Sequence, residues 1–252
     1  MKWTLGFYTT LVYLFMYLPI AVIILFSFSQ SEILSLPISG WTFDWYRDAL
    51  QDARLKAGLE NSLKIAFIAT LVASTLGTLG ALAVQRYQFL GRTAFRTAIM
   101  LPILLPGIIT GVAMLSFFAT IHLPLGLATV MIGHATFGFP VVFNTVASRL
   151  ARLPKNLEEA AADLGSNPRQ TFQKVLFPAM RSSIIAGALL AFTLSFDEII
   201  VTLFLTGQQN TLPTEIWARL RFGMTPEINA IVTMILILSC GLVLLSQRFS
   251  KE

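Results

Sequence analysis

Cysteine, histidine and charge are all scarce in this chain, and each shortage removes a class of function. Its 252 residues hold one cysteine, Cys240, which rules out an intrachain disulfide and any cysteine-cluster metal site. The two histidines, His122 and His134, stand apart from each other and from any acid at ligand spacing, so neither is assigned to a metal or to catalysis. No Gly-x-x-x-x-Gly-Lys-Ser/Thr phosphate loop occurs, so the chain is not expected to hydrolyse ATP itself. Any energy source must be a partner. Charged residues make up only 12%, against 55% hydrophobic and a mean hydropathy of +0.72, which describes a multi-span membrane protein rather than a soluble core. The net charge of +5 is explained by topology, without a nucleic-acid partner.

Six apolar runs are long enough to cross a bilayer, at about 5–28, 62–84, 97–121, 127–147, 182–205 and 228–247. The expectation is an all-α membrane protein with one transmembrane domain over residues 1–252. The first run is uninterrupted and lacks a small-residue cleavage site, so it is expected to be a retained helix. With the N-terminus inside, twelve basic residues are cytoplasmic: Lys2, Arg86, Arg92, Arg96, Arg149, Arg152, Lys155, Arg169, Lys174, Arg181, Arg248 and Lys251. Six are outside: Arg47, Arg54, Lys56, Lys64, Arg219 and Arg221. Both termini and the polar segment 154–178 then face the cytoplasm.

That segment, PKNLEEAAADLGSNPRQTFQKVLFP, is the longest polar stretch between spans. Asn156 suits a helix cap with Glu159 three residues on. Gly165 breaks the chain, and Asn167-Pro168 restarts it with a cap and a first-turn proline. Two short helices around a glycine turn are predicted. On the other side, residues 29–61 carry Trp41, Phe43, Trp45 and Tyr46, which suit a short amphipathic helix at the membrane–water interface.

Within the spans, Pro102 and Pro106 predict a kink in the third, and Gly107 with Gly111 suit close helix approach as well as a pathway. Asn144, in the fourth, suits a helix–helix hydrogen bond better than an inner vestibule. Asp197 and Glu198, in LSFDEIIVTLF of the fifth, are the most informative residues. A carboxylate deep in a bilayer costs about 2.5–3.5 kcal/mol on insertion scales, so two together need a reason. On a continuous helix Glu198 shares a polar stripe with Ser195 and Thr202, which directs Glu198 to a water-lined path and Asp197 to its edge or to a partner subunit. Acids without basic neighbours suit a cationic solute. An ion pair with another helix is the structural alternative.

Glu159-Ala160-Ala161, Gly165, then Val175-Leu176-Phe177-Pro178 resembles the EAA loop of ABC-importer permeases, with Val175 and Phe177 standing where that family has Ile and Leu. FTLSFDEIIVTLFLTG with TLPTEIW is similar to the permeases of spermidine/putrescine importers, as are YLPI, FSF, NSLKIA, LPILLPGIITG and HATF, so the resemblance covers nearly the whole chain. It implies a type I ABC-importer permease fold of six transmembrane helices, in a bacterial inner membrane. It assigns Glu159, Ala160, Ala161, Gly165, Val175 and Pro178 to a cytoplasmic coupling helix that meets an ATPase. It also implies two ATPase subunits carrying the ATP and Mg, a second permease, and a periplasmic or lipid-anchored binding protein. A related importer for another organic cation, amino acid or opine is the alternative. A non-ABC cation carrier has no need of an EAA-type loop.

Overall fold

Not every apolar run holds as a single helix. A computed structural model of the protein describes residues 2–154 and 156–249; Lys155 and Lys251, both counted in the charge bias, lie outside them. In chain order the described helices are α1 (Lys2–Phe26), α2 (Asp44–Gln51), α3 (Ala53–Arg86), α4 (Arg92–Leu104), α5 (Gly107–Thr120) and α6 (Leu127–Arg152). They continue with α7 (Asn156–Asp163), α8 (Pro168–Thr171), a π turn at Phe172–Leu176, α9 (Phe177–Asp197), α10 (Ile200–Leu205), α11 (Leu212–Leu220) and α12 (Pro226–Phe249).

Four described helices are long and apolar enough to cross a membrane: Leu5–Phe26, Ala53–Arg86, Leu127–Arg152 and Pro168–Asp197. The expected third span, 97–121, is not one rod. It is the pair α4 and α5, bent by 107°, and counts as a fifth crossing only if the pair is one span. The cause is local: a residue before proline is pushed out of the helical region, and Leu105 is extended at φ −84°, ψ 140° ahead of Pro106. The expected sixth run, 228–247, falls on α12. The expected fifth, 182–205, also breaks, between α9 and α10.

The chain packs as two units, one joining residues up to Lys56 with those from Glu215 on, the other Ala57–Thr214. In the second unit α6 is the central helix. Val142, Phe143, Val146, Ala147 and Leu150 on it bury against Ala73, Ala81 and Val84 of α3, Ile99 of α4, and Met180 and Ala191 of α9. Close approach depends on missing side chains: a Cβ on Gly77 of α3 would lie 2.9 Å from the Phe143 nitrogen. The expected close packing at Gly107 and Gly111 is against α10, where a Cβ on Gly111 would lie 2.6 Å from the Phe204 ring.

In the first unit, α1 buries none of its apolar window, so its surface is matched to lipid or a partner rather than to this unit's own core. The expected aromatic helix is α2. Trp45 donates to the Ser29 carbonyl at 2.8 Å, Tyr46 pairs with Ser27 at 2.6 Å, and Phe28, Phe43 and Tyr46 cluster. Arg219 of α11 ties Asp52 (2.7 Å), Glu215 and Glu227 into one ion cluster. Burial of the Asp52 carboxyl opposes its charge. The hydrogen bond from Arg219, the Leu55 and Arg54 amides and the Arg219 charge nevertheless hold it below its ordinary 3.8. A carboxyl depressed by folding stabilises fully above its unfolded value and loses that contribution as pH falls through the lower folded value. The stability gap between wild type and Arg219→Met, from thermal unfolding in detergent, is therefore expected to be flat down to about pH 4 and to shrink below it. A gap unchanged to about pH 2 would contradict this.

Candidate functional site

The polar segment between α6 and α9 folds largely as its punctuation demands. α7 ends in the left-handed conformation at Gly165, φ +81°. The Ser166 amide donates to the Ala161 carbonyl at 3.0 Å and the Gly165 amide to Ala162 at 2.8 Å, the paired bonds of a glycine helix stop. Asn167 then caps α8: its Oδ1 accepts from the Gln170 amide at 2.9 Å, and Gln170 Oε1 accepts from the Asn167 amide. Two expectations change. Asn156 lies within α7 as its first described residue rather than ahead of it as a cap. The second helix is not separate, because α8 runs through the π turn into α9. Pro178 cannot donate to the carbonyl of Lys174 and its ring would crowd it; the widened turn, with Phe177 donating to Phe172, absorbs this.

Of the residues assigned to coupling, Glu159, Ala160, Gly165 and Pro178 are exposed, Val175 is half-buried, and Ala161 is buried against the rest of the segment. Two residues were missed. Glu158, not Glu159, meets the transmembrane helices: its Oε1 lies 2.6 Å from Arg86 Nε at the end of α3, close enough for an ion pair but not aligned as a hydrogen bond. Leu164 is 89% exposed on a polar segment, an apolar side chain presented outward beside the glycine stop. Arg149 Nε donates to the Ala179 carbonyl at 2.9 Å, fastening α6 to the start of α9. Asn144 donates to Met100 Sδ at 3.1 Å, the helix–helix bond favoured from sequence.

The acid pair sits at a break rather than on a helix face. Asp197 is the last residue of α9, and Glu198 is extended at φ −74°, ψ 120°. Glu198 Oε1 accepts from the Val201 amide at 2.9 Å, so this carboxylate caps α10, where freed amides and the helix dipole favour a negative charge. Asp197 is exposed and has no hydrogen bond or ion pair among the described residues. The expected orientations assumed an unbroken helix; in this arrangement Asp197 is the exposed acid and Glu198 is half-buried and occupied by the Val201 amide.

Ser195 and Thr202 do not face open space either. Both are buried, and both meet His134 of α6: Nδ1 is 2.7 Å from Ser195 Oγ and Nε2 is 2.8 Å from Thr202 Oγ1. The stripe read as a solvated face is the face that packs on α6. His134, set aside from sequence, is its partner. Only the polarity of the stripe signalled that something had to meet it.

The sequence model described as binding-protein-dependent transport system inner membrane component matches residues 73–251. The chain is 32% identical to the spermidine/putrescine transport system permease protein PotC of Haemophilus influenzae, over 96% of this chain and 94% of that protein. It is 35% identical to the putrescine transport system permease protein PotI of Escherichia coli K12, over 88% of this chain and 82% of that one. Its fold is similar to a chain of a bacterial ABC transporter involved in alginate import, with TM-score 0.74, 18% identity, and 98% and 95% of the two chains covered. A chain of the MetNI methionine ABC transporter matches at TM-score 0.62 and 18% identity, over 77% and 92%.

Proposed function

Because the chain belongs to the family of binding-protein-dependent transport system inner membrane components, we propose that it is one permease half of an ATP-driven importer that brings putrescine and spermidine into the cytoplasm. The relatives named for these polyamines support the substrate class. Asp197 is the observation that carries it: an exposed, unpartnered carboxylate ending a membrane-spanning helix lowers the barrier to a cation and has no structural use for its charge.

In this reading six transmembrane helices form half of the pathway, a second permease forms the other half, and both termini are cytoplasmic. α7 is the coupling helix. Glu159, Ala160, Gly165 and Leu164 present its outer face to one of two ATPase subunits, which hold the ATP and Mg, while Ala161 packs it down. Val175 and Pro178 shape the turn that continues into α9. ATP closes the ATPase dimer, the coupling helices move, and the two halves rock from inward- to outward-facing. The solute then passes from a binding protein outside, which sets high-affinity selectivity. Labelled putrescine uptake, in cells lacking other polyamine importers but expressing all the partner subunits, is expected only when this chain is also expressed. Uptake that persists without it would remove it from the pathway.

A further inference from the structure

His134 is isolated in sequence but not in the fold, and its two hydrogen bonds have a direction. Thr202 Oγ1 donates to the Glu198 carbonyl at 2.8 Å, which spends its only proton. Thr202 therefore accepts from Nε2–H of His134. A neutral imidazole with Nε2 protonated has a bare Nδ1, so that nitrogen accepts from the Ser195 hydroxyl. The run is Ser195 to His134 to Thr202 to the backbone of Glu198. His134 is 1% exposed, Ser195 5% and Thr202 0%, so water does not compete.

This run crosses the discontinuity between α9 and α10. A helix break inside a membrane frees carbonyls and amides that need partners. Here the Glu198 side chain takes the Val201 amide and Thr202 takes the Glu198 carbonyl. Both bonds are local to the break and do not fix it to a neighbouring helix. Thr129 of α6, the 26-residue central helix, holds the far end of α10 by donating to the Leu205 carbonyl at 2.8 Å. His134 is the α6 side chain that grips both sides of the break, Ser195 before Asp197 and Thr202 after it. We propose that His134 is a positioning residue for translocation, holding the α9–α10 break through Ser195 and Thr202 so that Asp197 stays aimed at the passing cation. This rests on the reading of Asp197 as the cation's contact.

The test uses the whole importer in proteoliposomes and counts putrescine moved per ATP hydrolysed, which is normalised to assembled complex and which poor folding alone does not change. Thr202→Val and His134→Asn, which keeps an acceptor near Nδ1 but loses the Nε2 donor, are each expected to lower that ratio about three- to tenfold. His134→Gln, which restores a donor near Nε2, is expected to stay within about twofold of wild type. Thr202→Val added to Asp197→Asn is expected to cost nothing further, since the acid it positions is gone. An effective Asp197→Asn to which Thr202→Val adds its full separate loss overturns this proposal alone, as does His134→Gln no better than His134→Asn. A silent Asp197→Asn overturns the reading of the acid and this proposal with it. If His134→Asn does not assemble with its partners, the cycle between Thr202→Val and Asp197→Asn decides the matter by the same criterion.

Discussion

Gly165→Pro is expected to abolish putrescine uptake, by about a hundredfold or more, while the assembled complex still hydrolyses ATP. Gly165 holds φ at +81°, which the proline ring cannot adopt, and its amide donates to Ala162, a bond proline lacks. The stop that ends α7 then has to be rebuilt. Leu164 is displaced from its outward position, and Ala161 loses its register against α8 and the π turn. Gly165→Ala is the graded control. A Cβ there meets nothing within 4 Å, so only the left-handed backbone penalty of about 1–2 kcal/mol applies, and partial uptake should survive. Glu159→Lys should uncouple for a different reason, by reversing charge on the exposed face while leaving the helix stop intact. Uptake at the wild-type rate in Gly165→Pro, with assembly shown by co-purification of the ATPase, would end the assignment of α7 to coupling.

Asp197→Asn is expected to lower uptake per complex by at least about tenfold with ATP hydrolysis retained, the loss of a charged contact being worth about 1.5–3 kcal/mol. Glu198→Gln should behave differently. Gln keeps a side-chain oxygen that can accept from the Val201 amide, so the α10 cap weakens without vanishing, and the loss of uptake should be smaller than for Asp197→Asn. Glu198→Leu removes the cap and frees that amide inside the membrane, so reduced assembly is expected there. Uptake that falls more for Glu198→Gln than for Asp197→Asn would return the pathway role to Glu198.

Local chemistry made much of the segment between α6 and α9 readable. Gly165, Asn167 and Pro168 act on the backbone within a turn of themselves, and each does in the fold what its residue type dictates. Pro106 likewise announced a bend, though nothing in LPILLPGIITG carried its 107° size, which depends on how α5 packs on α10. The break after Asp197 had no such signal. FDEIIVTLF holds neither proline nor glycine and reads as continuous helix. Tertiary contacts impose the break: α10 lies against α5 at Gly107 and Gly111, and against α6 at Gly133, where a Cβ would be 2.7 Å from Leu205. His134 was unreadable for the same reason, since its partners lie 61 and 68 residues away. Glu158 and Glu159 differ only in which side of α7 faces Arg86, a phase that one sequence does not reveal.

The most direct measurement is ATP-dependent accumulation of labelled putrescine in proteoliposomes. They would contain this chain with its second permease and its ATPases, binding protein and putrescine on one side and ATP on the other. Wild type should concentrate putrescine against its gradient only when ATP is supplied, and replacing the phosphate-binding lysine of the ATPase should stop it. Putrescine that merely equilibrates, at the same rate with or without ATP, would make the chain a channel or passive carrier and contradict the reading of an ATP-driven importer.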